Sequence, residues 1–106
     1  MALTNSDRYR SLSAQFDDDL VGKISELAAD LTPITDIAAL LDIKEDVLRF
    51  VINDPNSEVR HAYLKARATT ARKLRKQELE LAEVGSPMAV QMTLMYLRDM
   101  QQDEDL

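Results

Sequence analysis

Thr35-Asp36-Ile37-Ala38-Ala39-Leu40-Leu41-Asp42-Ile43-Lys44-Glu45-Asp46-Val47-Leu48-Arg49-Phe50-Val51 is the stretch that decides the fold. Ile37, Leu41, Ile43, Leu48 and Val51 fall where two short helices, crossing near a right angle, must turn their side chains inward. All five are apolar. Such a crossing brings two backbones close and needs a small residue between them, which Ala38 supplies. The tight turn usually takes Gly and here has Asp42. Asp tolerates left-handed backbone angles better than most residues, so the turn forms with a small strain. The spacing therefore predicts a helix over 34–41, a break at 42–43 and a second helix over about 44–53.

Upstream, Thr32 and Pro33 read as an N-cap and a first helical residue. A further helix is expected from about Asp17, where Asp17, Asp18 and Asp19 complement the positive end of the helix dipole. Its apolar stripe is Leu20, Ile24, Leu27, Ala28 and Leu31. The segment 1–15 is polar, with Arg8 and Arg10 flanking Tyr9, and reads as a loose arm. Downstream, Asp54-Pro55-Asn56 stops the second short helix, because proline disfavours helix in the residue before it. Ser57 caps a long helix that runs to about residue 84, Gly85 stops it, and Ser86-Pro87 opens a last helix from 88 to about 102. The expected organisation is an arm (1–15), a helix-turn-helix domain (16–55), a helical hairpin (57–102) and an acidic tail (103–106).

Composition agrees with an all-α chain. Two Gly and three Pro among 106 residues are too few for the frequent turns of a sandwich or barrel. No window alternates apolar and polar residues for long, so no strand is expected. The absence of Cys excludes disulfides and thiol chemistry and fits a reducing cytoplasm. The opening MALTNSDRYR carries no apolar stretch behind its charges, so no secretory signal is expected, and no apolar run is long enough for a membrane span. There is no Gly-rich phosphate loop, no cluster of metal-binding acids with His, and no nucleophile–base pair. His61 has no ligand partner at helical spacing. A non-enzyme without metal or cofactor is expected.

Charge is unevenly placed. The chain carries a net −6, yet residues 57–76 hold Arg60, Lys65, Arg67, Arg72, Lys73, Arg75 and Lys76 against the single acid Glu58. That segment is +6, so the remainder carries −12. A helix of this kind, with Val59, Tyr63, Ala66, Thr70 and Leu74 as its packed stripe, offers a charged face to a polyanion. The two short helices resemble the helix-turn-helix of DNA-binding proteins, whose second helix enters the major groove. Lys44 and Arg49 are its candidate DNA contacts, opposed by Glu45 and Asp46. The last helix has Met88, Met92, Met95 and Tyr96 on one side and Val90, Leu94 and Leu97 on another. A helix apolar around so much of its girth is buried on more than one side. Met88, Met92, Leu94, Met95 and Leu97 are therefore the expected contacts between subunits of a homo-oligomer.

Three motifs in order resemble the small terminase subunits of tailed bacteriophages: the helix-turn-helix over 37–51, the helix opening His61-Ala62-Tyr63-Leu64-Lys65-Ala66-Arg67, and Val84-Gly85-Ser86-Pro87-Met88-Ala89 leading to Tyr96-Leu97-Arg98. Asp42 departs from the family's turn Gly, and Glu45 and Asp46 acidify the recognition helix. The resemblance implies an oligomer, often a ring, that binds double-stranded viral DNA in the host cytoplasm. It implies delivery of that DNA to a large terminase subunit bearing the ATPase and nuclease. Two other readings stay open: a helix-turn-helix transcriptional regulator, and an assembly protein that binds no DNA.

Overall fold

The computed structural model describes residues 15–104, and among them there are five helices and no strand. They are α1 (Asp18–Ala29), α2 (Ile34–Leu40), α3 (Glu45–Asn53), α4 (Glu58–Glu83) and α5 (Pro87–Glu104). The arm with Arg8, Tyr9 and Arg10, and the last two residues of the acidic tail, lie outside the described residues. The chain forms two compact units, one ending at Thr70 and the other starting at Ala71, so the boundary falls inside α4.

Local chemistry sets the helix ends. Asp17 caps α1 by accepting a hydrogen bond from the Leu20 amide at 2.8 Å. Ser57 does the same for α4, accepting from the Arg60 amide at 3.2 Å, and Ser86 accepts from the Ala89 amide at 3.3 Å ahead of α5. Three helices end on left-handed residues: α1 at Leu31 (φ 59°), α2 at Asp42 (φ 55°) and α4 at Gly85 (φ 91°). In each, paired amides reach back to the last turn. The Thr32 amide donates to Leu27 at 3.0 Å, Ile43 to Ala38 at 2.9 Å and Ser86 to Leu81 at 3.1 Å. These are the six-to-one bonds of a Schellman turn, which satisfies carbonyls the helix leaves open.

Several expected boundaries move. Pro33, not Thr32, is the N-cap of α2, with an extended backbone (ψ 151°) and no side-chain cap bond. Leu31 belongs to the turn rather than the α1 stripe and stands 46 % exposed. Helix α5 continues through Glu104, so the expected acidic tail begins as helix. Leu41 and Lys44 lie just outside their helices as caps.

The first unit holds the core. Ile24 and Ala28 from α1, Ile37 and Ala38 from α2, Leu48, Val51 and Ile52 from α3, and Val59 and Tyr63 from α4 are buried together with Phe16. Leu41 and Ile43 pack against them partly buried. Of the inward set expected around the turn, Ile37, Leu48 and Val51 are fully buried and Leu41 and Ile43 partly so, while Ala38 is 3 % exposed. Two tertiary hydrogen bonds fix the first half of α4 in place. The Arg60 guanidinium donates to the Ile52 carbonyl at 2.9 Å, and the Thr70 hydroxyl donates to the Ala29 carbonyl at 2.6 Å. Each satisfies an end-of-helix carbonyl. This is why the unit extends to Thr70 rather than stopping at Pro55: the first half of α4 completes its core.

The second unit is a helical hairpin. Gly85 reverses the chain, and α5 returns along the second half of α4, bringing the Arg75 guanidinium over the Tyr96 ring at 5.5 Å. Among its described residues only Ala89 is a buried hydrophobic. Leu74, expected to close the packed stripe of α4, is exposed.

Candidate nucleic-acid interface

In the first unit, the turn 41–44 sets α3 beside α2 with its first turn outward. Lys44, Glu45, Asp46 and Arg49 are all exposed. Arg49 is nevertheless engaged. Its Nε lies 3.5 Å from Glu45 Oε2, and its Nη2 donates to Thr35 Oγ1 at 3.2 Å. A hydrogen bond to Thr35, with the Arg49 charge beside it, holds the Glu45 carboxyl below the usual carboxylate range. Asp46 turns inward on its own helix end, accepting from the Val47 amide at 2.9 Å. Lys44 makes no ion pair among the described residues.

The rest of this unit's cations lie on the opening half of α4. Arg60 is half-buried, and its guanidinium donates to the Ile52 carbonyl at 2.9 Å, which ties one of its donors to the end of α3. Lys65 is exposed. Arg67 is exposed too, and its guanidinium lies over the Tyr63 ring at 5.4 Å, which orients it without neutralising it.

In the second unit Arg72, Lys73, Arg75 and Lys76 are all exposed. Arg72 and Lys76 are four residues apart and share a face. The ion pairs among the described residues are Lys23–Asp19 and Arg49–Glu45, so neither these four cations nor Lys65 and Arg67 have an acid partner there. Among the described residues no group of His, Asp or Glu is arranged to hold a metal ion, and no helix is long and apolar enough to cross a membrane.

The expected subunit-contact residues stand largely open. Met88 is 75 % exposed, and Leu94, Met95 and Leu97 each keep half or more of their surface in contact with solvent; Met92 is half-buried. Sequence reasoning missed Met100, Leu79 and Leu81, which are exposed on the same hairpin. It also missed Thr35. The four-residue spacing of Glu45 and Arg49 is a legible ion-pair signal, but the hydroxyl that joins them comes from another helix.

No protein-family model matches the chain, and no curated protein or solved structure is significantly similar to it.

Proposed function

We propose that the chain is a DNA-binding adaptor of viral genome packaging, of the small terminase type, that assembles with copies of itself and hands double-stranded DNA to a large terminase subunit. The observation that carries DNA binding is the set of exposed α4 cations with no acid partner among the described residues, Lys65, Arg67, Arg72, Lys73, Arg75 and Lys76, in a chain of net −6. Surface cations in an acidic protein ordinarily find acids nearby. A helix that keeps them apart retains the charge that phosphate contacts require. The exposed apolar hairpin supports self-assembly, since soluble monomers seldom leave such a surface open. The packaging role rests on the order of the three sequence motifs.

The test combines affinity with mass. Changing Arg72, Lys73 and Lys76 together to Glu abolishes binding to duplex DNA at moderate salt while the far-ultraviolet circular dichroism stays that of the parent. A triple variant that binds as the parent does removes the reading. A closed oligomer larger than a dimer separates a packaging adaptor from a transcriptional regulator. A parent that binds no duplex leaves an assembly protein.

A further inference from the structure

We propose that Glu45 is a specificity-determining residue: it holds Arg49 away from phosphate and so suppresses sequence-independent DNA binding by the α2–α3 pair. The inference rests on the DNA-binding reading above. Arg49 is the cation in mid-α3 on the outward face, and its guanidinium is stretched between two helices. Nε faces Glu45 Oε2 at 3.5 Å and Nη2 donates to Thr35 Oγ1 at 3.2 Å. Both side chains of the ion pair keep nearly half their surface in water, so the pair is reachable by a ligand rather than sealed in the core.

A guanidinium has five N–H donors in one plane. Nη2 is engaged by Thr35 and Nε stands beside the Glu45 carboxylate, which leaves Nη1 with no partner among the described residues. A phosphate arriving in arbitrary register meets a cation already neutralised, with a carboxylate beside it that repels the incoming charge. A base edge that offers two aligned acceptors, as guanine does in the major groove, gives back the hydrogen bonds that Arg49 must rearrange. The pair therefore lowers affinity for DNA at large more than affinity for an aligned site. Discrimination of this kind comes from a repulsive element as much as from an attractive one. Asp46 supplies the internal comparison. It carries the same charge one residue along, but its carboxylate accepts from the Val47 amide and has no cation partner among the described residues.

The experiment is a double-mutant cycle of Glu45→Gln and Arg49→Gln in the full chain, with Asp46→Asn as the control. Fluorescence anisotropy follows binding to a random-sequence duplex over a series of salt concentrations. Freed from Glu45, Arg49 takes up one more phosphate, so Glu45→Gln tightens binding about fivefold at low salt and steepens the salt slope by about 0.9. In the Arg49→Gln background that gain vanishes, and Asp46→Asn leaves the slope unchanged. An equal gain with and without Arg49, or an equal steepening by Asp46→Asn, makes Glu45 one acid among many and overturns the inference while DNA binding stands. A parent that binds no duplex at any salt overturns the functional reading itself, and the inference with it. Glu45 and Arg49 lie on the surface, and unchanged thermal melts establish that the variants fold.

Discussion

Truncating Leu48 to Ala tests the core reading most directly. Leu48 sits in α3 with no exposed surface, and the other large side chains buried as completely are Ile24, Ile37 and Val51, drawn from α1, α2 and α3. Removing three carbons forfeits about 2.4 kcal/mol of transfer energy at roughly 0.8 kcal/mol per methylene. A cavity term is added when the walls cannot close. Here the walls belong to three helices pinned by capping turns, so collapse is limited and the total should lie near 4 kcal/mol, within the range of about 2.7–5 kcal/mol known for buried Leu truncations. Stability for a domain of this size is of order 5–15 kcal/mol, so the loss is a large share. At about 4–8 °C per kcal/mol, the melting midpoint falls by roughly 16–32 °C. Circular dichroism melts at one fixed protein concentration measure it, because the proposed self-association would make the midpoint concentration-dependent. Leu40→Ala is the paired control: Leu40 ends α2 at 64 % exposure, and its truncation should stay within about 0.5 kcal/mol. A Leu48→Ala midpoint within a few degrees of the parent would place that side chain outside the core and refute the α2–α3 crossing.

Two further outcomes are expected. Arg60→Met keeps the aliphatic stem but strips the donor from the Ile52 carbonyl, so it should cost about 1–2 kcal/mol in urea unfolding while changing DNA affinity less than Lys65→Met does. An affinity loss without a stability loss would make Arg60 a DNA contact rather than a structural cation. Leu94→Glu with Leu97→Glu places two charges on an exposed apolar stripe of α5 and should break the oligomer to a 12.0 kDa species by light scattering. An assembly driven by apolar burial, as proposed, should survive raised salt. A parent already monomeric at high micromolar concentration rules the oligomer out.

Much of this was legible because single residues punctuate the chain. Asp42 and Gly85 were expected at the turns, and both have the left-handed backbone that those residue types tolerate. Leu31 was not, because leucine is a poor left-handed residue. Its conformation comes from the reach-back bonds of Leu31 and Thr32 to Ala28 and Leu27, and from the Thr70 bond to Ala29 nearby. A sequence pattern holds no trace of a turn imposed in this way. The unit boundary after Thr70 was hidden for a related reason. The helical stripe Val59, Tyr63, Ala66, Thr70, Leu74 continues in register past the point where core exists to receive it. Periodicity reports which face is apolar and says nothing of what lies against it. In the candidate site, cation positions could be read from the sequence but their availability could not. Arg60 is set apart from Lys65 and Arg72 by a carbonyl on another helix, and Arg49 by Thr35 on another helix together with Glu45 on its own.

The hairpin raises a physical question that its own contacts do not answer. Below about 40 residues a chain seldom buries enough surface to fold without a disulfide, a metal or association. Residues 71–104 fall in that range, carry no Cys, and bury only Ala89 among their described hydrophobic side chains. Intrinsic propensity contributes little, since isolated helices of this length are marginal in water. The cation–π contact of Arg75 with Tyr96 adds about 0.5–1 kcal/mol at an exposed site, far below the ordering entropy of two helices. What remains is the apolar surface itself. Val90, Leu94 and Leu97 form one stripe at helical spacing, while Met88, Met92 and Met95 form another on the opposite flank. One neighbouring helix cannot cover both stripes. The expected outcome is that the hairpin folds only as far as it self-associates. Its helicity should then follow mass action and fall on dilution, while the core around Leu48, closed within one chain, keeps its structure. Amide exchange at decreasing protein concentration separates the two. Protection lost in α5 and kept in α3 is the expected pattern, and equal protection at every dilution would mean that the hairpin stands without a partner.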